Sequence, residues 1–315
     1  MLPLIGAVIG LLIVFRFWVG PRFLLPENMV DLVQQISVNA ILAFGMTLVI
    51  LIGGIDLSVG RLQALVGTTT AFGLLTFGGT KEPHTAGVIA AMAMGLGVAA
   101  LFGLINGVCA AKTRMPPFII TLATMLIARG AAVRFNEGRP MHIPEAHSFF
   151  LSLGNGRLFG VVPVPVVIML ALFVLTAVLL HRTRFGQHLY AMGGNREAAR
   201  FTGIPLARIE ITVYVICSLL AAVAGMISAA QLYSAEPASG EGFELNAIAA
   251  VVVGGTSFTG GVGTMYGALI GAIIIGILDK GLNQAGVHFS IQYIVKGVVI
   301  LAAVYVDVKR RSQNR

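Results

Sequence analysis

The chain has 315 residues, of which 57% are hydrophobic and 11% charged, with a formal net charge of +8; its mean hydropathy is +0.91. Soluble domains carry about a quarter charged residues, so this chain has too little polar surface to cover itself in water. The composition excludes a soluble domain, and with it the nucleic-acid reading of the net charge; the basic residues sit in short loops and set membrane topology instead.

Apolar stretches of about twenty residues recur along the chain, the length a helix needs to cross the bilayer core, whereas the alternation expected of a membrane barrel is absent. The expected fold is an all-α membrane protein of about ten transmembrane helices, one transmembrane domain over residues 1–315. The first span covers roughly residues 2–19; it has no basic start or small-residue cleavage site and contains Arg16, so it reads as a span and not a signal peptide. Gly20, Pro21 and Pro26 break it. The second span, 29–52, stops at GGIDLSVG, and the third covers 62–77. A short exposed loop, TKEPHT at 80–85, leads to the fourth span at 86–111, which ends at Lys112, Arg114 and Pro116-Pro117.

The fifth span covers 118–135. Residues 136–160 are a long polar segment, with Pro140, Pro144 and room for a short surface helix. The sixth span at 161–180 leads into a basic loop at 181–208, and the seventh lies at 209–232. After YSAEPASGEG come a shorter apolar eighth piece (245–253), a glycine-rich stretch (254–263), and the ninth and tenth spans at 265–282 and 291–306. Lys309, Arg310, Arg311 and Arg315 form the tail.

Lys112 and Arg114, the central loop with Arg182, Arg184, Arg196, Arg200 and Arg208, and the basic tail all fall on one side if both termini are cytoplasmic. The 136–160 loop and the acidic loop with Glu236 and Glu241 then lie outside, with Arg139 and Arg157 counting against the rule.

Two stretches resemble each other: LVILIGGIDLSVGRLQALVG at 48–67 and AVVVGGTSFTGGVGTMYGALIG at 250–271. Each has a β-branched run, a Gly-Gly break, a polar insert, Val-Gly and a small-residue helix start, which reads as a parallel internal duplication. Freed backbone groups at such breaks must be satisfied within protein or in a wet cavity, and paired breaks mark transport routes. Gly53, Gly54, Asp56, Ser58, Gly254, Gly255 and Thr256 are therefore the candidate translocation-path residues; the bland alternative is close helix packing on glycine. Asp56 either caps a broken helix or pairs with Arg61 or Arg129. Asp279 and Lys296 form a possible pair. Asn39, Gln63 and Asn106 either line a polar path or bind neighbouring helices.

No catalytic constellation, metal-ligand spacing or phosphate-binding loop is present, and Cys109 and Cys217 lie in apolar segments without a disulfide or metal pattern. No cofactor is expected, and any ATP must be bound by another subunit.

Within the central loop, Glu197-Ala198-Ala199 is good helix-forming sequence, Gly203 offers a stop and Pro205 follows. The order Glu-Ala-Ala-x-x-x-Gly resembles the coupling-loop motif of bacterial ABC importer permeases, and the run around it, with GGIDLSVG, GFELNAIAAVVVGGTSFTGGVGTMYGALIGA and the tail IVKGVVILAAVYVDVKRR, is similar to the permeases of ribose, xylose, arabinose and galactose importers. The resemblance starts near Asn28. It implies that Gly194, Asn195, Glu197, Ala198, Ala199 and Gly203 dock on a cytoplasmic ATPase subunit, that a periplasmic sugar-binding protein and a second permease copy complete the assembly, and that the chain resides in the bacterial inner membrane. Two departures stand out: such permeases usually have a longer polar segment before the first span, and Arg61 stands where a small or apolar residue is more usual. A branched-chain amino-acid permease and an ion-coupled transporter using Asp56 are the rival readings.

Overall fold

A computed structural model describes residues 2–79, 84–113 and 115–313. Residues 80–83 of the TKEPHT loop, Arg114 and Arg315 lie outside the described residues, as do the side chains of Arg310 and Arg311.

A helix covers each of the ten apolar segments. In chain order these are α1 (Leu2–Trp18), α2 (Pro26–Leu51), α3 (Val59–Phe77), α4 (Thr85–Lys112) and α5 (Pro117–Phe135). The segment between α5 and α7 then supplies β1 (Met141–His142), α6 (Ser148–Asn155), β2 (Arg157–Leu158) and β3 (Val162–Pro163). α7 (Val164–Arg182) is followed by two short helices, α8 (Arg184–Gly194) and α9 (Arg196–Phe201), then α10 (Leu206–Gln231), β4 (Ser234–Ala235), α11 (Phe243–Val253), α12 (Met265–Gln284) and α13 (Phe289–Gln313).

Six of these helices, α2, α4, α5, α7, α10 and α12, are long and apolar enough to cross a bilayer by length and composition. The others fall short for physical reasons. α11 has 11 residues, about 16 Å at the α-helical rise, half of a hydrocarbon core. α3 starts from a backbone break and carries Arg61, Gln63 and three successive threonines. The chain is therefore a multi-pass, helical membrane protein, and by these lengths and compositions six of the expected ten spans meet the requirement for crossing.

α2 is buried without interruption from Ile36 through Leu51. A helix apolar on every side belongs at the centre of a bundle, and α10, α12, α11 and α7 surround it. The most extensive helix pair is α4 with α10, where Gly103 and Gly107 let the α10 backbone approach closely. α5 and α7 lie outside, with Leu126, Ile127, Val174 and Leu175 exposed, as a lipid-facing surface requires.

Both loops expected on the outer side meet at one end of the bundle. β1 pairs antiparallel with β4, Met141 opposite Ala235, and Asn155 Nδ2 donates to the Ala230 carbonyl at 2.6 Å. β2 and β3 form a small hairpin. Sequence alternation could not announce strands of two residues.

Candidate functional site

The central basic segment folds into the short helices α8 and α9. Thr183 caps α8, its hydroxyl accepting from the Gly186 N–H. Asn195 then separates α8 from α9 and caps the latter, its Oδ1 accepting from the Ala198 N–H at 2.9 Å. Glu197 sits in the first turn of α9, where a negative charge suits the helix dipole. Just past the helix, Gly203 turns the chain with a φ of +80°, the left-handed conformation that glycine adopts without strain. Its N–H reaches the Arg200 carbonyl, and the Ile204 N–H reaches that of Ala199. Gly194, Asn195, Glu197, Ala198 and Gly203 are exposed, and Ala199 points inward. Phe201 is 88% exposed at the tip. Arg196 pairs with the buried Glu210 and ties α9 to the base of α10.

The two glycine breaks converge beneath this segment. α2 ends at Leu51, Gly53 turns the chain with φ +79°, and α3 starts at Val59. α11 ends at Gly254, Gly255 turns with φ +91°, and the chain loops through Thr256 to the start of α12. In that loop the Gly261 N–H donates to the Leu51 carbonyl at 2.9 Å, so the second break satisfies an orphan carbonyl of the first helix. Gly193, at the end of α8, lies against both groups; a Cβ there would meet the Leu51 carbonyl oxygen and the Gly261 backbone. Tyr190 Oη donates to the Gly263 carbonyl at 2.7 Å, a second tie between α8 and the break. The presented segment is thus joined by main-chain contacts to both breaks at once.

Gly53 lies within this junction, near Gly260 and Thr259. Gly54 packs instead toward Tyr214. Gly254 packs on Gly267 of α12, and Thr256 is buried beside Gly263. Sequence reading missed Tyr190, Gly193, Gly260 and Gly261. The available signal was a Gly-Gly pair in the basic loop, Gly193-Gly194, matching the Gly-Gly pairs of the breaks.

Asp56 closes the turn that leads into α3. Its Oδ1 accepts from the Ser58 N–H at 2.9 Å and from the Ser58 hydroxyl at 2.6 Å. Ser58 Oγ accepts in turn from Asn106 Nδ2, and Asn106 Oδ1 accepts from Thr124. The Thr121 hydroxyl donates to the Ile55 carbonyl. This chain of bonds fastens the first break to α4 and α5 and uses Asn106 as a helix fastener.

The alternative pairing of Asp56 with Arg61 or Arg129 does not occur. Arg61 is buried and points the other way, toward the segment before α11, where it pairs with Glu241 and donates to the Ala238 and Ser239 carbonyls. The Glu241 side chain is 75% exposed. Arg129 is also exposed and shares a small cavity with Arg61, Glu241 and Glu244. Asp279 and Lys296 do pair, at 3.0 Å. No group of three or more potential metal ligands occurs among the described residues.

The profile of the family described as "Branched-chain amino acid transport system / permease component" matches residues 28–304. Among curated proteins, the ribose import permease protein RbsC of Escherichia coli K12 is 47% identical over 294 residues, 93% of this chain and 89% of that protein. The ribose import permease protein RbsC of Bacillus subtilis is 43% identical over 310 residues, covering 98% and 94%. The L-arabinose ABC transporter permease protein AraH of Azospirillum brasilense is 36% identical over 295 residues, covering 94% and 84%. No solved structure matches the chain. With the profile and these relatives spanning nearly its whole length, the chain belongs to this family of transport-system permease components.

Proposed function

We propose that the chain is the membrane-spanning permease subunit of an ATP-binding cassette importer that carries a ribose-like monosaccharide across the bacterial inner membrane. The observation that carries this is the exposed α8–α9 segment, packed through Gly193 against the backbone of both glycine breaks and hydrogen-bonded through Tyr190 to the second. Such an arrangement passes movement of a docked cytoplasmic partner into two helix ends at once. The names of the relatives supply the substrate class.

In this reading α9 and the exposed Phe201 seat in a groove of a separate ATPase subunit, which binds the ATP. Gly194, Asn195, Glu197, Ala198, Ala199 and Gly203 form and shape that contact. The α8–α9 end is cytoplasmic, as are both termini, with all ten apolar helices embedded in one domain. The end built from β1, β4 and α6 receives a periplasmic sugar-binding protein. Gly53, Gly54, Asp56, Ser58, Gly254, Gly255 and Thr256 form the two duplicated breaks that open and close the inner end of the path, shared with a second permease copy. ATP binding closes the ATPase dimer, and the difference in contact energy between the two states drives the change of access.

Purification of the tagged chain from native membranes in mild detergent, with mass spectrometry of stoichiometric partners, tests the reading. A P-loop ATPase at equal copy number is expected. A chain that purifies alone under several mild conditions would overturn it in favour of a self-sufficient transporter.

A further inference from the structure

A cavity of about 340 Å³ lies between α2, α3, α10, α11 and α12, within the size range of small-molecule sites. Its polar wall is made of amides. Gln63 Nε2 donates to Ser228 Oγ at 3.0 Å, which leaves Gln63 Oε1 buried without a partner. Asn39 Oδ1 and Gln231 Nε2 are likewise buried and unpartnered. Asn39 and Gln63 are 8% and 3% exposed, so water from the bulk does not serve them freely. Each unsatisfied group in such a place costs about 1–3 kcal/mol, so these three atoms form two acceptors and one donor awaiting a polar occupant. The remaining wall includes Phe243 and Ile36, an apolar surface for the C–H face of a ring.

Charge decides which occupant fits. Among the described residues lining this cavity the one ionisable group is Asp279, and Lys296 already holds it at 3.0 Å. A zwitterionic amino acid would need a cation for its carboxylate and finds none in the wall. A neutral polyol brings hydroxyl groups that both donate and accept, which amides match.

Position also fits. Asn39 lies halfway along the 26-residue α2, and Ser228 and Gln231 occupy the last turn of α10. With the α8–α9 end inside, the cavity sits in the outer half of the bundle. α2 then runs from the cavity to Leu51 at the glycine junction, one buried helix touching both places.

We propose that this cavity is a sugar-binding subsite within the permease itself, in which Asn39, Gln63 and Gln231 hydrogen-bond the hydroxyl groups of a neutral monosaccharide while Phe243 packs on its ring. The proposal rests on the sugar-importer reading above and adds the residues that meet the sugar.

Two measurements test it. In proteoliposomes holding the permease with its ATPase and binding protein, D-ribose uptake is compared for wild type, Asn39→Leu and Gln63→Met. Maximal uptake should fall at least tenfold in both variants, with ATP hydrolysis retained, and uptake within twofold of wild type would overturn the proposal. Absence of D-ribose uptake by the wild-type assembly would instead count against the importer reading. Because these positions are buried, a second variant does not depend on their folding. Asn246→Cys, at the partly exposed rim, is made in a chain with Cys109→Ala and Cys217→Ala and labelled in membranes with a water-soluble maleimide. Labelling that D-ribose slows at least threefold supports the subsite. No labelling, or labelling indifferent to D-ribose up to high millimolar concentration, sinks it.

Discussion

Replacement of Gly193 by alanine tests the junction most directly. A Cβ at this position would collide with the Leu51 carbonyl oxygen and the Gly261 amide, and would stand 3.0 Å from the Gly261 Cα. All of these are backbone atoms, so no flexible side chain can yield. Either α8 lifts off, or the Gly261 N–H to Leu51 carbonyl bond breaks. Leaving those two groups unpaired costs about 1–3 kcal/mol, and overpacking a tight contact adds about 1–3 kcal/mol. A combined loss near ~3 kcal/mol corresponds to roughly a hundredfold in equilibrium. Gly194 is the internal control, because a Cβ there meets nothing within 4 Å. Thermal unfolding of the two purified variants in one detergent, together with substrate moved per ATP hydrolysed, gives the comparison. Gly193→Ala should melt clearly lower and transport less per ATP, with the melting temperature of Gly194→Ala close to wild type. Equal melting temperatures for the two variants would refute the junction as the link between α8 and the breaks.

Gly203→Pro removes the N–H that reaches Arg200 and forbids a φ of +80°. Membrane insertion should be intact while ATP hydrolysis no longer drives uptake, and normal uptake would defeat the coupling role. Asp56→Ala removes the acceptor of the Ser58 N–H and hydroxyl; a loss of about 1–2 kcal/mol, comparable to that of a helix cap, should appear as a lower melting temperature, and unchanged stability with lost uptake would point to a path role instead. His147, between α5 and α7, is buried with both ring nitrogens unpartnered, and burial lowers its pKa below 6.5. The unfolded chain then binds a proton more readily than the folded one, so the folded form keeps its full stability above about pH 6.5 and loses it as the pH falls. His147→Gln should flatten that acid limb in a melting-temperature profile between pH 7.5 and 5; an unaltered slope would exclude His147 as its source.

The helices were legible wherever one physical rule acts along the chain. Hydropathy placed all ten apolar segments, and Glu197-Ala198-Ala199 with Gly203 marked α9 to within a residue or two. Asp279 and Lys296, near the ends of neighbouring segments, could be paired by proximity. Arg61 could not, because its partner Glu241 stands 180 positions away in a loop whose path hydropathy does not constrain. The same limit hid the junction. Glycine pairs at 53–54, 193–194 and 260–261 announce breaks one by one, but nothing periodic tells which loops meet. Gln63 and Asn39 illustrate a further ambiguity, since an amide that fastens two helices and an amide that faces a cavity look alike in a sequence. Gln63 does both, one atom for each task.

Arg129 and Glu241 set a condition on how this chain lives in a cell. Arg129 lies twelve residues into the 19-residue α5, about 18 Å along it, and Glu241 reaches the same cavity with most of its side chain uncovered. An ionisable side chain partway along a membrane-crossing helix rarely faces acyl chains; it needs neighbouring protein or trapped water. A solitary copy would have to thin the bilayer around this face or draw water into it, so newly inserted chains are poor residents until something covers them. Production without the rest of the assembly should therefore yield short-lived protein, and the supply of partners, more than the rate of synthesis, would set how many copies the membrane keeps.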